Sequence, residues 1–114
     1  MKVCIFCGSS MGNDVRYQEA AAHLGEVLAQ NDCTLYYGGG NIGLMKIIAD
    51  KMIEKGKEVI GIITKGLIDM ELAHDNITKL VEVETMSERK LMLINESDIF
   101  IAMPGGFGTL DELF

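Results

Sequence analysis

Residues 98–114 read Asp-Ile-Phe-Ile-Ala-Met-Pro-Gly-Gly-Phe-Gly-Thr-Leu-Asp-Glu-Leu-Phe, and the order of residue types there decides the fold class. Ile99 to Met103 form a short apolar run, of the kind that fills a parallel strand buried on both faces. Pro104 ends the strand because it has no N–H for a sheet ladder. Gly105, Gly106 and Gly108 let the backbone turn sharply and lie close to a ligand. Thr109 can cap a helix that opens with Leu110, Asp111 and Glu112. A strand feeding a glycine turn and then a helix start aims free N–H groups and the positive end of the helix at one point. That is an anion site, most often for a phosphate. Glu112 falls in the first turn and so carries a carboxylate beside the bound anion. Glycine turns of this kind also occur with a purely structural role. The sequence stops a few residues into this helix, and one turn needs neighbours to be stable, so the domain is expected to be cut short at its C-terminus.

Working back along the chain, the same strand-to-helix alternation recurs. Strands are expected at Val3–Phe6, Thr34–Tyr37, Glu58–Ile63 and Leu80–Val83, before the last one at Ile99–Met103. The first helix follows Asn13 or Asp14 as cap, turns Val15, Ala21, Leu24, Val27 and Leu28 inward, and ends with Asn31 in the left-handed conformation. The second turns Leu44, Ile47, Ile48 and Met52 inward and stops at Gly56. Residues 64–76 read as a loop with room for one helical turn. Thr85-Met86-Ser87-Glu88 is a capping box that opens a helix running to about Glu96. Strands alternating with helices make a parallel sheet with right-handed crossovers. The expected fold class is therefore α/β: a single Rossmann-like nucleotide-binding domain over residues 1–114, with helices on both faces of its sheet, forming the N-terminal part of a longer domain.

Composition narrows the function classes. Ten basic against seventeen acidic residues leave a net charge of −7, which opposes nonspecific binding to nucleic acid or to an anionic membrane. No apolar run approaches the roughly 18 residues of a membrane span, and Met1-Lys2-Val3 opens a strand instead of a signal peptide. A cytoplasmic location is expected. Cys4 and Cys7 have a C-x-x-C spacing, but within an apolar strand they fall on opposite faces and away from a helix start, so structural thiols are expected, as for Cys33. His23 reads as a surface or partly packed side chain.

Two further loops belong at the carboxyl ends of strands, where ligands of open α/β sheets gather. One is Gly8-Ser9-Ser10. The other is Gly38-x-Gly40-x-x-Gly43, a match to the dinucleotide fingerprint in letters only. It follows the second strand, and Thr64 and Lys65 stand where an acidic ribose partner would be needed. Close helix–strand packing is the alternative use of these glycines. Arg89 and Lys90 lie near the start of the capped helix, where cations oppose its dipole. Helix stability would not place them there, whereas an anionic ligand would; a solvated helix face is the alternative reading.

Taken together, Met86-x-x-Arg89-Lys90 and Pro104-Gly105-Gly106-x-Gly108-Thr109-x-x-Glu112 resemble the LOG family, the cytokinin-activating phosphoribohydrolases once labelled possible lysine decarboxylases. Cys7-Gly8-Ser9-Ser10, Tyr37-Gly38-Gly39-Gly40-x-x-Gly43-Leu44-Met45 and Glu71-x-x-His74 extend the likeness through all 114 residues. The resemblance implies hydrolysis of adenosine 5′-monophosphate, or an N6-substituted form of it, to free base and ribose 5-phosphate. It implies catalytic roles for Arg89 and Glu112, and phosphate contacts from Gly105, Gly106, Phe107, Gly108 and Thr109. Gly8, Ser9, Gly39, Gly40, Glu71, Met86 and Lys90 complete the expected substrate-binding set. No metal or other cofactor is implied, and a homodimer or larger homo-oligomer is. Departures from the family pattern are Lys46 for a common Gly, Thr64 for a Pro, and Ser87 for a frequent His. The alternative function is a non-catalytic carrier of a phosphorylated, nucleotide-like cofactor. A decarboxylase would need a lysine carrying pyridoxal phosphate, and Lys90 on a phosphate-facing helix suits that poorly.

Overall fold

A computed structural model describes residues 1–6, 15–39, 43–66 and 76–102. The elements in chain order are β1 (Lys2–Phe6), α1 (Val15–Gln30), β2 (Thr34–Tyr37), α2 (Gly43–Glu54), β3 (Val59–Thr64), β4 (Lys79–Val83), α3 (Met86–Glu96) and β5 (Ile99–Ala102). The strands form one sheet in the order β4-β3-β2-β1-β5, and every neighbouring pair is parallel. Strands β1 to β4 step outward in one direction, and β5 then returns to the other side of β1. The winding direction therefore reverses between β1 and β5, the position at which open α/β sheets hold ligands. Phe6 and Ala102, the last residues of these two strands, are register partners, so both strands end at the same level.

Alternating strand residues feed two cores. Val3, Ile5, Leu35, Tyr37 and Val59 face α1 and α2, where Leu28, Leu44, Ile48, Ala49 and Met52 close over them. Cys4, Phe6, Tyr36, Ile62 and Val83 face the opposite way, toward Leu93 of α3. Strand β1 is thus buried on both faces from Val3 to Phe6, which is why it reads as an unbroken apolar run. His23 is exposed, as expected. Cys4 and Cys33 are buried, and Cys7 lies outside the described residues. Among the described residues no helix is long and apolar enough to cross a membrane.

Two expectations for α1 need correction. Val15 and Val27 are 61% and 36% exposed, whereas Ala21 and Leu28 are buried as expected, in a stripe that also includes Gly25 and Ala29. The reason is the closeness of α2: a Cβ at Gly25 would lie 2.8 Å from Cβ of Lys51, so small residues belong in the seam. The left-handed residue that ends α1 is Asp32, at φ 54°, and not Asn31. Asp32 N–H donates to Ala29 O at 3.2 Å and Cys33 N–H to Leu28 O at 3.0 Å, a Schellman motif whose geometry places the left-handed residue one position beyond Asn31. Gly56 ends α2 in the same way, at φ 73°.

Candidate functional site

The capping box forms with one difference from the simple pattern. Thr85 Oγ1 accepts from Glu88 N–H at 3.1 Å, while the Glu88 carboxylate accepts from Glu84 N–H at 3.3 Å, one residue ahead of the cap. The start of α3 is therefore held by both side chains, and Arg89 follows immediately, its N–H bonded to Thr85 O. Ser87, a departure from the family pattern, is exposed in this first turn.

Arg89 turns from α3 toward the sheet and is 7% exposed, the sole buried charged residue among the described ones. Its Nε–H donates to the carbonyl of Ile62 in β3 at 2.9 Å. Its Nη1 lies 3.9 Å from Sδ of Met86, one turn back on α3. Its far end reaches the residue after β2. A Cβ at Gly38 would overlap Nη2 and lie 2.8 Å from Cζ. One side chain thus spans three elements at the carboxyl ends of the strands, with its plane set by a main-chain acceptor and a glycine.

Gly39 follows at φ 75°, a conformation that favours glycine. A Cβ there would meet Leu80 Cδ1 at 3.1 Å and Ile63 Cβ at 3.3 Å. Below it, a Cβ at Gly61 would lie 2.6 Å from Gly39 Cα. The turn after β2 is therefore pressed against β3, with Gly38 on the Arg89 side and Gly39 over Gly61. This is the close-packing use of the glycines, and at Gly38 the close neighbour is a guanidinium.

Of the expected site residues, the structure brings Met86 and Arg89 into contact, while Gly39, next to Gly38 in the chain, packs over Gly61. Lys90 is half-buried at the next helical position, about 100° round the helix from Arg89. Gly8, Ser9, Gly40, Glu71, Gly105, Gly106, Phe107, Gly108, Thr109 and Glu112 lie outside the described residues. Gly38 and the Ile62 carbonyl are the participants that sequence reasoning missed. Gly38 stood in plain view within its motif, but nothing in sequence says which side chain its missing Cβ makes room for. A main-chain carbonyl leaves no sequence signal at all.

Lys46 does not stand free beside the glycine turn: its amine pairs with Asp50, one turn along α2, at 3.3 Å. Burial, reinforced by the Asp50 carboxylate, pushes the Tyr37 phenol well above its ordinary range. Among the described residues no three His, Cys, Asp or Glu side chains converge where a metal ion could sit.

Residues 45–114 match the family model described as "Possible lysine decarboxylase". The cytokinin riboside 5′-monophosphate phosphoribohydrolases LOG1 and LOG3 of Arabidopsis thaliana are each 45% identical to this chain over 112 residues, which is 98% of it. The chain spans about half the length of these relatives, 53% and 52%. The molybdenum cofactor binding protein of Rippkaea orientalis has the same fold at 21% identity, with a TM-score of 0.82 over 98% of this chain and 67% of that one. The molybdenum cofactor carrier protein of Chlamydomonas reinhardtii also has a TM-score of 0.82, at 18% identity and the same coverage. At such identities the likeness shows the fold alone. With 45% identity to the plant proteins over nearly its whole length and a family model covering most of it, this chain belongs to the LOG family.

Proposed function

We propose that the complete protein hydrolyses the N-glycosidic bond of adenosine 5′-monophosphate, or of an N6-substituted derivative, to release the base and ribose 5-phosphate. The observation that carries this reading is Arg89, a buried guanidinium held at the carboxyl ends of parallel strands by Ile62 O and room at Gly38. A fork of fixed donors in that place suits a phosphate or a ribose, or the orientation of a neighbouring carboxylate. The names of the plant relatives supply the substrate class.

As the C1′–N bond breaks, positive charge develops on the sugar. In this reading the Glu112 carboxylate stabilises that charge and takes a proton from the water whose oxygen bonds to C1′, while the departing base takes a proton from solvent at its ring nitrogen. The turn at Gly105 to Thr109 holds the 5′-phosphate and so fixes the sugar relative to Glu112. Met86 flanks Arg89, and Lys90, Gly8, Ser9, Gly39, Gly40 and Glu71 complete the binding surface. The working unit is a cytoplasmic homodimer or larger homo-oligomer.

The test is incubation of the complete protein with AMP and with isopentenyl-AMP, followed by chromatography for free base. Glu112→Gln is expected to keep AMP binding and lose base release. Near-normal turnover by that variant removes Glu112 from the chemistry, and a stable complex with intact nucleotide in the wild type identifies a carrier instead.

A further inference from the structure

We infer that Gly38 is a positioning residue for Arg89, present because the guanidinium occupies the space a side chain would need. The three heavy atoms closest to a Cβ at position 38 all belong to Arg89: Nη2, Cζ at 2.8 Å and Nε at 3.4 Å. The φ of Gly38 lies outside the left-handed region, unlike that of Gly39 at 75°, so its backbone would accept an L-residue. The requirement for glycine therefore comes from Arg89 and not from the turn.

The Ile62 carbonyl holds Nε on the other side at 2.9 Å. Making room for a side chain at 38 therefore moves a planar fork whose Nε–H is already committed to a strand carbonyl. An alanine at 38 would force Cζ back by roughly half an ångström even to reach ordinary contact at 3.4 Å, and Nη2 by more. This deepens the proposed function and rests on Arg89 gripping the nucleotide or its catalytic carboxylate.

The experiment is a double-mutant cycle on the complete protein: wild type, Gly38→Ala, Arg89→Ala and the two combined. Displacing a positioned group by about 1 Å can cost about 100-fold, so Gly38→Ala is expected to lower kcat/KM for AMP by about that factor. In the Arg89→Ala background the same change should alter kcat/KM by less than about threefold, because the group it displaces is gone. Melting temperatures give a readout independent of catalysis. Gly38→Ala should lower Tm by about 4 °C in the wild type and by about 1 °C or less beside Arg89→Ala.

A residue that merely shapes the turn would cost the same in both backgrounds, and that result overturns the inference, as does wild-type kcat/KM in Gly38→Ala. If Gly38→Ala fails to fold, recovery of folding in the double variant supports the coupling and its failure there refutes it. Absence of base release by the wild type would defeat the proposed function, while the melting temperatures would still decide whether Gly38 exists to seat Arg89.

Discussion

Gly39, Gly56 and Gly61 allow backbone strain and packing strain to be measured separately. Gly56 sits at φ 73° with nothing within 4 Å of the point where an added Cβ would stand, so Gly56→Ala incurs the left-handed penalty alone. That penalty is about 1–2 kcal/mol. Gly61 is not in the left-handed region, but an added Cβ would sit 2.6 Å from Gly39 Cα and 2.7 Å from Ile77 Cδ1. The first of those neighbours is backbone and cannot rotate away, so Gly61→Ala should cost about 3 kcal/mol, the upper part of the overpacking range. Gly39→Ala combines φ 75° with contacts at 3.1 and 3.3 Å to side chains that can give slightly, and about 2–3 kcal/mol is expected. Urea unfolding followed by circular dichroism is the assay. With m near 2 kcal/mol/M, the midpoint should fall by about 0.5–1 M for Gly56→Ala and about 1.5 M for Gly61→Ala, with Gly39→Ala between them or equal to the latter. Equal midpoints for Gly56→Ala and Gly61→Ala would refute the claim that the turn after β2 is pressed onto β3.

Two further outcomes follow from the caps and from the buried phenol. Thr85→Ala removes the acceptor of Glu88 N–H and should cost about 1 kcal/mol, seen as a fall in Tm of about 4 °C that Thr85→Ser largely restores. The Tyr37 phenol has its folded-state pKa raised above the ordinary value of 10.0, chiefly by burial, so above that pH the unfolded chain releases a proton that the folded chain keeps. Stability from this group is full below pH 10.0 and falls as pH rises, by about 1.4 kcal/mol per pH unit for one proton. Urea midpoints measured from about pH 9 to pH 11 should show that slope in the wild type and a shallower one in Tyr37→Phe.

The fold was legible because its signals are local and repeated. Apolar runs bounded by glycines mark β1, β2 and β3, and the Thr85–Glu88 pair marks the start of α3 to the residue. What misled was α1, where periodicity selected Val15 and Val27. Large apolar residues signal burial only if the neighbouring helix leaves them room, and α2 approaches so closely at Gly25 that it favours a small-residue stripe. The end of α1 was misplaced by one residue because asparagine is the better left-handed residue in general. Here the hydrogen bonds from Asp32 and Cys33 decide, and Asn31 instead donates its side-chain amide to Val27 O at 2.7 Å. At the site, Arg89 was legible as a cation in the wrong place for its helix. That it would be buried against the glycine after β2 was not, since that contact joins residues 51 positions apart, Gly38 and Arg89.

Arg89 works against stability in more than one way. Its burial forfeits hydration, its place near the start of α3 opposes the helix dipole, and an apolar side chain of similar volume would commonly serve folding as well or better. The structure nevertheless surrounds it with accommodations: a carbonyl of β3 turned to its Nε, a thioether beside its Nη1, and a glycine where β2 ends. Each of those concessions constrains the orientation of the fork. A buried cation kept only to anchor α3 could do so through the Ile62 carbonyl and would not need the space at Gly38. In a chain of net charge −7, a guanidinium so confined supplies fixed positive charge at the end of the sheet where phosphate-binding folds present their ligands.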